Sequence, residues 1–183
     1  MNRYELLQCY AKGERDFAGA ELSQVDLSNT DLMEINLSNA NLILANLNGA
    51  KLAEANLSGA NLIGIDAIAA DFSRANLTWA KLIGSNLLES QFNEASMVEV
   101  IMSGANMEQA NLRFCCLIGA DLVGCNLLGA NLSYSNLMNA DLSGADLRHV
   151  HMLDTNVQGT MRKNAKMSDA LMVEFIKQQP LEA

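Results

Sequence analysis

The amino-acid sequence predicts an all-β solenoid, a chain wound into stacked parallel coils, and three regularities predict it. The first is an apolar residue at every fifth position, running without insertion from Phe17 to Val157 through 29 consecutive units. Twenty of these centres are Leu, among them Leu47, Leu52, Leu57, Leu62 and Leu127. The others are Phe17, Phe72, Phe92, Met97, Met102, Met107, Met152, Ala67 and Val157. The second regularity lies two residues before each centre, where Ala stands in 16 units and small or β-branched residues in most of the rest. The third is Asn or Asp immediately before the centre in 21 units, so that one unit reads Ala-(Asn/Asp)-Leu-x-x.

A period of five suits neither regular element. An α-helix turns 100° per residue, so every fifth side chain would scatter around its axis. A continuous strand would point alternate centres to opposite faces. What fits is a backbone that turns one corner per unit, keeping each centre inside. Stacked coils of such a chain pair at about 4.8 Å, the spacing of neighbouring strands. With aromatics only 5% of the residues, the core must be Leu, Ile, Met and Ala.

Units such as "ANLNG", "ANLSG", "ADLVG" and "ADLSG", with the lead "YAKGERDF", resemble the pentapeptide-repeat family in its cyanobacterial form. The resemblance spans residues 15–159. It implies a right-handed quadrilateral parallel β-helix with four units per coil. On that expectation the repeats make about seven coils, a rod roughly 35 Å long.

Taken in order, residues 1–14 are expected to form an N-terminal capping helix, over residues 2 to 12. Tyr4, Leu7 and Tyr10 would face the first coil, and Gly13 would stop the helix. Residues 15–159 form the repeat. Within it, Ile65 and Ala67 exchange the usual large and small places with similar total volume. Met97, Met102 and Met107 interrupt the leucines, and the least regular coil is expected there, as a seam between two repeat blocks or as simple drift. Arg162 would fall at a centre, so the register should end by about residue 160. Residues 160–183 then form a C-terminal helical cap or tail. "SDALMVEFIKQQP" reads as a helix with Ser168 as N-cap and Leu171, Met172, Phe175 and Ile176 on its apolar side. It would cap the rod or, as the resemblance implies for some members, join two copies; the chain is expected to be a monomer or a dimer through this helix.

Chemistry is not written into this pattern. Cys9, Cys115, Cys116 and Cys125 show neither zinc-ligand spacing nor a disulfide framework. Cys115 and Cys125 fall at the small inward position as inert thiols, and Cys116 points outward. His149 and His151 are placed on adjacent outer faces, unsuited to a shared metal. No phosphate loop, catalytic triad or paired carboxylates can be assembled, and a filled rod leaves little room for a pocket. The reading is a non-catalytic chain without cofactor or metal. Since the N-terminus lacks an apolar leader and no run approaches the ~18 residues of a membrane span, a cytoplasmic location is expected.

Function then rests on the outer surface. Positions 20 residues apart share a face, and one column holds Ile43, Ile63, Ile83 and Val123, with Leu44 beside them. This column reads either as a patch for a protein partner, of unknown identity, or as β-branched residues that stabilise one another by stacking. Another face carries Asp26, Asp66, Glu89, Glu108 and Asp146, against Arg148. Acidic faces matter because the family resemblance includes members that mimic duplex DNA and modulate type II topoisomerases such as gyrase. DNA carries a charge every ~1.7 Å. Five acids interleaved with cations along the rod copy it poorly. The formal charge of −9 also disfavours direct contact with nucleic acid or anionic membrane. A protein-interaction scaffold is the leading reading, with the DNA-mimicking modulator as its alternative.

Overall fold

One tight turn per unit accounts for the period of five. In the computed structural model, which describes residues 1–168 and Leu171, the unit centred on Leu42 is representative. The Ala45 N–H donates to the Leu42 carbonyl at 2.9 Å, and Leu44 between them has φ +57°. A positive φ at the second central residue is the mark of a type II turn. The same left-handed backbone recurs at every fifth residue from Gly19 to Asn164, at eleven glycines and nineteen other residues. The coil imposes this conformation whether or not the residue favours it.

After four such corners the chain returns to the face it left. Parallel bridges join each residue before a centre to the residue 20 further on, from Asp16–Asn36 to Asp146–Lys166. Around Leu42, its own N–H donates to Asn61 O at 2.8 Å, and Leu44 N–H donates to Ile63 O at 3.0 Å. The N–H of Asn61 donates back to Ala40 O at 2.9 Å. Each side is too short for a continuous strand, so the β-structure consists of single-residue rungs stacked in columns. Backbone polar groups that would otherwise be orphaned inside are paired coil to coil.

The core follows the sequence pattern closely. Every centre from Phe17 to Leu147 is buried, as is Val157, while Met152 near the end is partly buried. Ile65 and Ala67 are both buried, as their exchange of places requires. Phe72 and Phe92, one coil apart, stack with centroids 5.0 Å apart and planes 6° from parallel. Small polar residues at the inward position find backbone acceptors: the hydroxyls of Thr30, Ser90 and Ser135 each donate to the carbonyl three residues before, at 2.6 Å, and those of Ser85 and Thr155 to the carbonyls of Leu62 and Leu132 one coil earlier.

Three expectations need correcting. The methionine coil is not irregular: Met97, Met102 and Met107 are fully buried, and the bridges Ser96–Cys116, Ile101–Asp121 and Asn106–Asn126 continue through it. Unbranched, flexible Met takes the Leu position without disturbing the backbone. The helix α1, Arg3–Ala11, begins on an Asn2–Glu5 capping box, but Leu6 is the residue it buries and Tyr4 is exposed. On a 3.6-residue period Leu6 shares its face with Arg3, Leu7 and Tyr10, and Tyr4 falls on the opposite side. The Tyr10 hydroxyl donates to Met33 O at 2.9 Å, which ties α1 to the coil. Lastly, the rungs do not stop by residue 160: bridges reach Met161 and Lys166. Arg162 does occupy a centre position, half-buried. It is tolerated because the last coil has no further coil above it among the described residues. The predicted helix over 168–180 lies outside the described residues except for Ser168, whose Oγ accepts from the Leu171 N–H at 3.3 Å, and Leu171 itself, which packs against the core.

Candidate functional site

With the interior filled, the side chains available to another molecule are those of the bridge and the two turn positions. Asn or Asp at the bridge has a double role. Its carbonyl or carboxylate oxygen accepts from the N–H two residues on, as Asn56 does from Ser58 at 3.2 Å and Asp71 from Ser73 at 2.9 Å. This Asx turn sets up the corner. Its amide then donates to the residue one coil earlier, as in the series Asn126 to Asn106 to Asn86, at 3.0 and 3.2 Å. These columns are therefore engaged in building the rod, and the turn positions carry the individuality of each face.

On the face of Leu42, Leu62 and Leu82, the apolar column is present as the sequence places it. Leu44, Ile83 and Val123 are exposed, while Ile43 and Ile63 are half-buried. The second turn position above Leu44 is glycine in five successive coils, Gly64 through Gly144. Leu44 lies over the first of these, since a Cβ at Gly64 would meet its Cδ2 at 2.9 Å. No turn residue on this face is charged from Ser23 to Gly144. The result is an uncharged line of turn positions, apolar at Leu44, Ile63, Ile83 and Val123, beside a bridge column that carries Glu21, Lys81, Asp121 and Asp141.

The face of Leu47 and Leu127 holds the predicted acidic set, but its charge is thinner than the repeat alone suggests. Arg3 reaches Asp26 at 3.4 Å, and the hydrogen bonds from Ser28 hold that carboxyl below its usual range. Asp146, with its side chain 14% exposed, accepts from Arg148 at 2.7 Å and lies 3.9 Å from Lys166. Arg148 is the main cause of its lowered pKa, opposed by partial burial. Of the rest, Glu108 accepts from Asn126 at 3.2 Å and Asp66 from Asn86 at 3.5 Å, and Glu89 is exposed.

The face of Leu52 and Leu112 carries features that the five-residue pattern does not single out. Arg74 bridges Glu54 at 2.9 Å and Glu94 at 3.4 Å, one coil to either side. Further along the same column Phe114 and Tyr134 stack in the open, centroids 5.0 Å apart and 8° from parallel. The Arg113 guanidinium lies 5.2 and 5.6 Å from the two centroids. Comparing residues 20 apart at the second turn position would have found this pair. On the neighbouring face Trp79 is exposed and donates its indole N–H to Glu99 at 3.1 Å.

The thiols sort by depth. Cys115 and Cys125 are buried, their Sγ atoms 2.8 and 3.0 Å from the carbonyls of Phe92 and Met102. Burial pushes both up to about 12. Cys9 and Cys116 are half-buried and free. His149 and His151 are exposed. Hollows in the surface are open rather than enclosed. One of 390 Å³ lies on α1 beside Tyr4 and Leu7, and another of 350 Å³ lies at the far end beside Val150 and Leu171. Among the described residues no helix is long and apolar enough to cross a membrane.

Pentapeptide repeats, in 8 copies, match this chain in overlapping segments between residues 30 and 172. HetL, a pentapeptide repeat protein involved in heterocyst differentiation regulation from the cyanobacterium Nostoc sp. strain PCC 7120, is 30% identical. The alignment covers 92% of this chain and 94% of HetL, with a TM-score of 0.35. Rfr23 from the cyanobacterium Cyanothece 51142 is 24% identical over 90% of this chain and 98% of its own, with a TM-score of 0.41. QnrB1, a plasmid-mediated fluoroquinolone resistance protein, is 16% identical over 90% and 91%, also with a TM-score of 0.41. No curated protein matches the chain.

Proposed function

The chain belongs to the pentapeptide-repeat family, whose fold is a right-handed β-helix solenoid, and we propose that it serves as a non-catalytic scaffold binding another protein through its outer surface. The neutral strip of Leu44, Ile83 and Val123 carries this reading. Apolar side chains lined up at the turns of one face of an acidic rod are the surface a partner can desolvate at least cost. In this reading residues 15–159 form the body of the rod, about seven coils continued by the rungs at Met161 and Lys166, with α1 covering one end. The partner is a protein; nucleic acid and membrane do not bind directly, no cofactor is used, and the chain works in the cytoplasm.

The strip is tested by retention of partners from extracts of the native cell. A protein held by the wild-type chain and lost from both Ile63→Asp and Ile83→Asp supports the reading; equal retention by all three overturns it. The DNA-mimic reading is weakened by Arg3, Arg148 and Lys166, which neutralise part of the most acidic face. In a supercoiling assay with purified gyrase, the expected result is no change in rate or extent on adding a large excess of the protein.

A further inference from the structure

We propose that the Leu52 face binds the same face of a second copy of this chain, with the two rods antiparallel. Phe114 and Tyr134 stack at the second turn position of successive coils, at φ +60° and +64°, which turns both rings outward. They are 49% and 39% exposed, an aromatic surface that water covers in a single chain. Arg113 beside them forms no ion pair among the described residues, and its Nε is buried without an acceptor. The contrast with Arg74 on the same face, held between two glutamates, is direct. Two coils from Arg113 stands Asp154, also without an ion pair among the described residues, next to Leu153, which is 60% exposed.

The spacing makes this face self-complementary. Residues 113 and 153 lie 40 apart, two coils, and the coil of Tyr134 lies midway. A two-fold axis across the face at that level sets Tyr134 against its own copy and brings Arg113 of each chain to Leu153 and Asp154 of the other. Each contact then occurs twice, as an isologous interface requires. Parallel rods would instead set the two Arg113 side chains near each other. The patch extends over roughly 10 Å of rod, two coil steps. A patch this short is smaller than the interfaces of stable complexes, so the dimer should form only weakly, in the high micromolar range or above.

Sedimentation of the full chain across about 10 μM to 1 mM tests the proposal, within the affinity range such an interface allows. The wild type should pass from monomer to dimer. Arg113→Asp places like charges across both contacts, and so does Asp154→Arg; each alone should weaken the dimer at least tenfold. Mixed in equal amounts, they restore both ion pairs in a heterodimer, which a misfolded variant could not do. A wild type that stays monomeric, or a mixture that stays monomeric, overturns the proposal. So does a dimer that persists in both variants, since it would lie elsewhere, for example through the segment after Ser168.

Discussion

At the scale of single residues, the second turn position decides what a substitution costs. Ala69, at φ +53°, is an exposed alanine in a conformation suited to glycine, and Gly84 occupies the same place with no atom within 4 Å of where a Cβ would stand. Gly84→Ala should therefore destabilise by about 1 kcal/mol through backbone strain alone, and Ala69→Gly should stabilise by up to about 0.5 kcal/mol, as read from urea midpoints. Depth governs the thiols in the same direct way. The thiolate is the nucleophile, and pKa values near 12 leave Cys115 and Cys125 almost wholly protonated at pH 8. An alkylating reagent at that pH should modify only Cys9 and Cys116 in the folded protein, and all four thiols once it is unfolded; mass spectrometry of the labelled peptides distinguishes the two.

At the scale of the coil, the centres Leu57 and Leu127 lie between buried apolar centres, Leu37 and Leu77 for the first and Met107 and Leu147 for the second. Leu57→Lys or Leu127→Lys buries a charge without a partner, and each should cost more than about 3 kcal/mol or abolish folding. Thermal melts check this, with the exposed Leu44→Lys as the control that should be nearly neutral. Near the last rungs the controlling group is Asp146. Its carboxyl titrates lower when folded than when unfolded, because Arg148 and Lys166 favour its charge. The stabilisation is thus complete above the unfolded pKa of about 4 and is lost as pH falls through the folded value. Asp146→Asn should melt at a lower temperature than wild type at pH 6, and the difference should shrink on titration toward pH 2. A gap that widens in acid would contradict the assignment.

At the scale of the molecule, the solenoid divides the sequence into residues that build and residues that are displayed. Much of this division is legible in the sequence. The unbroken fifth-residue spacing of Leu and its substitutes locates every buried centre from Phe17 to Leu147, and the 20-residue step places Ile43 to Val123 on one face. The left-handed turn is legible too, since eleven of the twelve glycines fall in one register, but a search for apolar residues passes over a position that is never inside. Tyr4 is misplaced by the expectation that an aromatic ring is buried, whereas the helical period of α1 puts Leu6 inward.

Which side chains face in and which face out follows from the five-residue period alone, because a corner every five residues leaves a local chain no other way to bury Leu. Which charges remain free does not follow from it. Arg3 stands outside the repeat, and only the folding of α1 onto the rod brings it to Asp26, while Lys166 reaches Asp146 because the rungs run one coil past the expected end of the repeat. The Phe114–Tyr134 stack and the Arg113 guanidinium beside it likewise depend on how far side chains of adjacent coils reach across a 20-residue step. Burial is a local, periodic property of this chain, while surface chemistry is made by contacts between coils, and those the stacked structure alone decides.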